Sequence, residues 1–426
     1  MNSSHRCRNR TPFVGFVITG LVLAACGGGG GSSAAPAASP NPSASANSSS
    51  APTPTGGSSN SAFVSGNFQS SSVFKDSCGA PRANTAGDTF PDMQGSFEDE
   101  GHWLRSWSNE TYLWYDEIQD RDPGLYATSA EGVGEYFDLL KTQQTTPSGN
   151  PKDRYHFTRD TAEYLAESEQ GLTFGYGATY RLISTSPPRE LVIALVQADS
   201  PAAQAGLERG ARIVTVDGVD LVNGTDAATL NAGLWPGQIN EEHSFEVLDP
   251  GASEPRSVTM RSGQISTDAV PKTRILDTDS GKVGYLLFTD HILTAEQQLI
   301  DAITEMRNAS ITDLVLDLRY NRGGYLYLAN QISYMIAGAG VSGQVFNSLQ
   351  FNEKSPGVNP VTGGAVRPDT FLTTSTENAA APGSALPALA LPQQRVFVLT
   401  TGSTCSASEA IINGLRGVGV EVIQFG

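Results

Sequence analysis

"RVFVLTTGSTCSASEAIINGLRGVGVEVIQFG", residues 395–426, decides the fold class of this chain. Its opening, Arg395 to Thr401, is an apolar run of strand length rich in β-branched residues. "GSTCSASE" is a loop crowded with hydroxyls, and "AIINGLRG" has helical spacing of apolar residues. "VEVIQFG" returns to a strand pattern. Strand, helix, strand at this spacing predicts a βαβ unit and therefore a largely parallel sheet.

The same grammar runs upstream. "VGYLLFTD" predicts a strand, "TAEQQLIDAITEMRN" a helix, "ITDLVLDLRY" a buried strand, and "NRGGYLYLANQISYMIAG" a loop followed by a helix. Thr294 and Gln297 have capping-box spacing, and Leu299, Ile303 and Met306 form one apolar face. A Pro/Gly/Ala-rich excursion spans roughly 350–392, longer than loops in compact domains usually are. Residues 263–426 therefore form an α/β region. Residues 166–262 read differently. "ELVIALVQ", "ARIVTVDGVDL" and "SFEVLDP" are strand patterns, Asp217-Gly218 is a turn signal, and "SPAAQAGLERG" is a short helix ended by glycine. Residues 63–165 are helical: "FEDEGHWLRSWSNETYLWYDEI" places Trp103, Trp107 and Trp114 with Leu104 and Leu113 near helical spacing, a packed core pattern. His156 sits in a connecting segment and reads as structural.

The N-terminus reads as an address. Arg6, Arg8 and Arg10 precede a short apolar run that ends at "LAAC", the layout of a secretory signal over residues 1–26. "LAAC" resembles the bacterial lipobox, which implies cleavage before Cys26, lipid attachment to its thiol, and a cell-envelope location. Gly27 is compatible with the outer membrane by the usual sorting pattern. Residues 27–62 are nearly all Gly, Ser, Ala, Pro, Asn and Thr, a composition that cannot bury enough surface to fold. They read as a tether between a lipid anchor and the folded part. The net charge of −17 and the lack of Lys/Arg clusters argue against nucleic acid as a partner. No Cys/His spacing suggests a metal. Cys78 and Cys405 remain after the two N-terminal cysteines, and could pair in an oxidising envelope.

Two loops share a layout of strand, tight loop and helix: "DLRYNRGG", Asp317 to Gly324, and "STCSASEA", Ser403 to Ala410. In open α/β sheets ligands gather at the carboxyl ends of strands, where helix starts offer unpaired N–H groups. Gly323-Gly324 would let a peptide carbonyl approach the main chain closely. On its own, Ser408-Glu409 is equally well a helix cap and first turn.

The order of "RSWSNETYLWYDEI", a PDZ-like segment, "DLRYNRGG" and "STCSASEA" resembles the S41 family of C-terminal processing (tail-specific) serine peptidases. The resemblance covers the chain from about residue 96. It implies a ClpP/crotonase-like core joined to a β-rich PDZ domain, with no metal or organic cofactor. It further implies that Ser406 is the nucleophile, and that Ala407 with Gly323 and Gly324 supplies the oxyanion amides. The PDZ resemblance, read with "GLTFGYG", implies that N–H groups of Gly171, Leu172, Thr173 and Phe174 capture the C-terminal carboxylate of a protein or peptide substrate. Cys405 reads as packing or half of a disulfide. In bacterial members a lysine some two dozen residues after the serine is the base, and the last lysine here is Lys354. The expected base lies past Gly426, with a partial sequence the simplest account and an inactive tail-binding lipoprotein the rival one. His291 in "FTDHILT" is the substitute candidate.

Overall fold

The computed structural model describes residues 62–84 and 89–426. The signal, Cys26 and the tether to residue 61 lie outside the described residues. The described chain divides into two compact units, one of residues to 161 together with 348–368, the other of 162–347 with 369–426.

The first unit is built on helix α1, Phe97–Thr111, and helix α2, Ala130–Leu139. Ser96 starts α1 with a reciprocal capping box: its Oγ accepts from Asp99 N–H at 3.1 Å, and the Asp99 carboxylate accepts from Ser96 N–H at 2.8 Å. Trp103 and Trp107 stack on α1, whereas Leu113 and Trp114 fall beyond its end, where Tyr112 turns extended. A short parallel pair, β1 Ser77–Cys78 and β2 Met93–Gln94, completes the framework. His156 is packed: its ring stacks on Phe137 at 3.9 Å, and its Nε2 lies 2.7 Å from the Phe137 carbonyl. Part of the long excursion belongs here. Asn352 donates to the Glu110 and Tyr112 carbonyls at the end of α1, and Lys354 Nζ sits 3.5 Å over the Tyr115 ring.

The second unit holds two large sheets around separate cores, with two further two-stranded pairs. After α3, Thr161–Gln170, strand β3, Leu172–Gly175, pairs with β10, Gly263–Ser266. A β-rich core follows from β4 Ala178–Ser184, β5 Glu190–Val196, β6 Arg212–Val216, β7 Val219–Asp220, β8 Glu242–Leu248 and β9 Arg256–Arg261. Helices α4, Pro201–Gln204, and α5, Ala227–Leu234, lie among these strands in sequence. The strand order is β4-β5-β6-β8-β9, with β7 beside β6, so β4 is an edge. Asp217 and Gly218 both take positive φ in the β6–β7 turn, as the hairpin signal requires.

The second sheet has the order β11-β12-β13-β16-β17: Lys272–Thr278, Gly281–Leu287, Asp313–Asp317, Arg395–Leu399 and Glu421–Phe425. The last four are parallel and β11 is antiparallel to β12. Helices α6 Ala295–Asn308, α7 Leu326–Ala337 and α8 Ala407–Gly417 connect them. Two short strands, β14 Val345–Asn347 and β15 Asp369–Thr370, pair antiparallel across the excursion. Leu299, Ile303 and Met306 are fully buried against the sheet, as their spacing predicts. The capping box at Thr294 does not form. Thr294 is itself helical there, and Gln297 is engaged with Asp301 and the Ala380 N–H.

Candidate active site

Two neighbouring parallel strands, β13 and β16, end side by side. β13 runs into "LRYNRGGY" and α7, while β16 runs into "TTGSTCS" and α8. The hydroxyls of the second loop stitch it to the first. Thr401 Oγ1 donates to the Arg319 carbonyl at 2.7 Å and Thr404 Oγ1 to the Leu318 carbonyl at 2.8 Å. Ser408 Oγ donates to the Asn321 carbonyl at 3.2 Å, and Cys405 N–H reaches the same oxygen at 3.4 Å. Ser403 Oγ receives Arg181 of β4 at 3.3 Å. Ser406 stands apart from this stitching. It is half-buried, at the sharp turn between β16 and α8, with φ 53° and ψ −119°. That is a sparsely populated backbone region for any residue with a Cβ, and strand-to-helix nucleophile turns have this form. The Glu409 carboxylate holds the turn by accepting Ser406 N–H at 3.1 Å.

The diglycine lies against it. A Cβ on Gly323 would sit 2.6 Å from the Ser406 Cβ and 2.9 Å from the Ala407 nitrogen. The Ala407 N–H is one of the first-turn donors of α8 and has no acceptor among the described residues. The same holds for the Gly324 N–H. Gly323 differs from the expectation: its N–H is already given to Asn321 Oδ1 at 2.9 Å. The donors free for an oxyanion are therefore Ala407 and Gly324.

Beneath the diglycine lies His291, fully buried. Its Nδ1 lies 2.8 Å from Asn321 Oδ1 and its Nε2 has no partner among the described residues. Burial pushes its pKa down to about 4, against a smaller upward pull from Asn321, so the ring is neutral near physiological pH. No contact joins it to Ser406 among the described bonds, which removes the geometric basis for a substitute base. The lysines described in this unit, Lys272 and Lys282, lie exposed in β11 and β12. Next to the site, Asp317 is buried, which pushes its pKa up. Hydrogen bonds from Arg319 and from Tyr285 at 2.7 Å outweigh that and hold the carboxyl below its ordinary value. Among the described residues no cluster of His, Cys, Asp or Glu could hold a metal ion.

The segment expected to bind a substrate tail, Gly171 to Phe174, is mostly strand. Gly171 N–H donates to the Glu167 carbonyl, and Leu172–Gly175 is a strand laddered to β10. These residues are not a turn. The turn comes next, at Gly175, Tyr176 and Gly177, where both glycines have positive φ. The N–H groups of Tyr176 and Gly177 have no acceptor among the described residues. This turn leads directly into β4, the edge strand of its sheet, which pairs with β5. Consecutive free amides beside an open strand edge are suited to an extended chain ending in a carboxylate. Asn321 and this second glycine turn are not singled out by the sequence, and His291 is singled out there only as a substitute base. The Gly-x-Gly spacing at 175–177 was the available signal for the turn.

The sequence model of peptidase family S41 matches residues 282–423, which include both loops, and a PDZ domain model matches residues 192–232. A carboxyl-terminal-processing protease of Synechocystis is 31% identical over 140 residues, 32% of each chain. Carboxyl-terminal-processing peptidase 2 of Arabidopsis thaliana chloroplasts is 28% identical over 167 residues, 38% of this chain and 32% of the relative. The chain thus matches about a third of the length of these curated relatives. The solved photosystem II D1 C-terminal processing protease aligns over 78% of this chain and 81% of its own, at 19% identity and a TM-score of 0.40. By its sequence, the α/β unit that carries Ser406 and Gly324 belongs to peptidase family S41 and is preceded in the chain by a PDZ domain.

Proposed function

We propose that this protein is a serine endopeptidase of the cell envelope that engages substrate C-termini through its PDZ domain. The observation that carries the reading is Ser406 on a strained strand-to-helix turn, flanked by two unengaged amides, Ala407 and Gly324. In the reaction, Ser406 Oγ attacks a peptide carbonyl carbon while its proton passes to the base. The resulting oxyanion is received by the two amides. Collapse expels the amine with a proton, and water then hydrolyses the acyl-enzyme. The base, by family resemblance, is a lysine. A desolvated lysine loses its proton readily enough to serve near neutral pH. Anchoring through a lipid on Cys26 accompanies this reading, and mass analysis of the mature N-terminus tests it.

A fluorophosphonate probe on the full-length protein tests the catalytic assignment. Mass mapping is expected to find the adduct on Ser406. An adduct elsewhere, or none together with no peptide hydrolysis, overturns it.

Tail capture has its own test. A decapeptide with a free C-terminal carboxylate is expected to bind about 10- to 100-fold more tightly than the same peptide amidated, because hydrogen bonds to a charged group contribute about 1.5–3 kcal/mol. Gly177→Val should abolish the difference, since a Cβ there would fall 2.3 Å from the Ser200 Cβ. Equal affinities for the two peptides would remove the carboxylate site.

A further inference from the structure

We propose that His291 and Asn321 are positioning residues that aim the Gly324 N–H at the reacting oxygen. The inference rests on the peptidase reading and deepens it. A peptide unit is planar and trans, so the C=O of Gly323 and the N–H of Gly324 point in opposite directions. Here the Gly323 oxygen accepts the His291 N–H at 3.3 Å. The Gly324 N–H must therefore face away from the His291 backbone. It meets no acceptor among the described residues, and a Cβ on the preceding residue would collide with Ser406.

Two glycines in sequence have little intrinsic resistance to a peptide flip. A flip would present the Gly323 carbonyl where the Gly324 N–H now stands, replacing a donor with an acceptor. Contacts on both sides of the peptide oppose it. Asn321 Oδ1 holds Gly323 N–H from one side, and the His291 carbonyl accepts Tyr325 N–H at 2.9 Å from the other. Gly324 fits flat on His291, since a Cβ there would come within 2.5 Å of the His291 oxygen. Asn321 is itself fixed at every polar atom it can use. Its Nδ2 donates to the Phe288 carbonyl at 3.1 Å, and its carbonyl collects Cys405 N–H and Ser408 Oγ from the serine loop. One buried side chain thus ties the diglycine turn to the loop that carries Ser406.

This arrangement sets the tautomer of His291. Asn321 Oδ1 already accepts Gly323 N–H, so the atom facing His291 is an acceptor and Nδ1 must carry the proton. The bare Nε2 lone pair is buried without a partner among the described residues. The imidazole acts as a donor that holds Asn321 in place, and Asn321 holds the diglycine.

Two variants in the full-length protein separate this role from simple packing. His291→Phe keeps a ring and removes the donor. His291→Asn places an amide N–H close to the Nδ1 position. With an internally quenched peptide, His291→Phe is expected to lower kcat about 100-fold, the scale of losing one oxyanion donor, with KM changed less than about two-fold. His291→Asn is expected to recover most of kcat. A His291→Phe enzyme with near-native kcat, or a His291→Asn enzyme as slow as His291→Phe, overturns the proposal. Nitrogen-15 NMR on the native protein is independent of any folding defect: it should find His291 protonated at Nδ1, and protonation at Nε2 overturns the proposal. Ser406→Ala run alongside distinguishes the two levels. If that variant still turns over substrate, the peptidase reading fails and this inference with it. If it is inactive while His291→Phe is not, only this inference fails.

Discussion

Replacing Ser406 by alanine in the full-length protein is expected to lower turnover by about 10⁴-fold or more, the scale seen when a serine nucleophile is deleted. The melting temperature should barely change, because the hydroxyl is not among those that stitch the two loops together. The backbone of Ser406 makes a second, sharper test. At φ 53° and ψ −119°, any residue with a Cβ carries about 1–3 kcal/mol of local strain. Ser406→Ala retains that strain and Ser406→Gly releases it. The glycine variant should be inactive yet more stable than the alanine variant by about 1 kcal/mol. Activity and stability then move in opposite directions at one position, as expected where strain is kept to expose a reacting atom. Substantial turnover in Ser406→Ala would sink the nucleophile assignment. Glycine and alanine variants of equal stability, measured by denaturant unfolding, would sink the strain argument while leaving the nucleophile untouched.

The α/β unit was legible because its signals are local. Leu299, Ile303 and Met306 recur at helical spacing, and β16, the serine loop and α8 follow one another without interruption. The Asp217-Gly218 hairpin was legible for the same reason: the turn needs positive φ, and few residues tolerate it. What escaped depends on distant pairing. Gly171–Phe174 resembles a binding turn in isolation, but β10 lies some ninety residues further on and draws it into a ladder, leaving the turn to Gly175–Gly177. Asn321 stands inside the quoted "DLRYNRGG", yet its function is written in contacts to Phe288, His291, Cys405 and Ser408. The end of α1 escaped differently. Leu113 and Trp114 continue the apolar pattern, but Tyr112 is extended, with its hydroxyl donating to Asp153 at 2.6 Å. Residues 348–368 were read as part of the α/β region, and Asn352 and Lys354 instead fasten them to the first unit.

Gly323→Ala is expected to be strongly damaging to both stability and turnover. The added carbon would lie 2.6 Å from the Ser406 Cβ, 2.9 Å from the Ala407 nitrogen and 3.0 Å from the Cys405 oxygen. Two of these neighbours are backbone atoms and the third is a β carbon, so none can swing aside as the end of a long side chain would. The residue also has φ 97°, which a Cβ resists independently of the space around it. Overpacking of about 1–3 kcal/mol and a backbone penalty of similar order together predict a loss of about 2–6 kcal/mol. Gly340→Ala is the control: it meets nothing within 4 Å and should be close to neutral. The catalytic consequence should exceed what stability explains. The contact keeps the Ala407 and Gly324 amides near one point, so relief of the clash by parting the loops separates the two donors. In folded Gly323→Ala protein at low temperature, turnover should fall at least about 100-fold, with KM moving far less. Near-native turnover in that variant would mean that the close approach of the two loops serves packing alone. A loss confined to KM would place Gly323 in substrate binding instead. A fall in kcat at constant KM is the result required if two backbones are pressed together here so that their N–H groups converge on one oxygen.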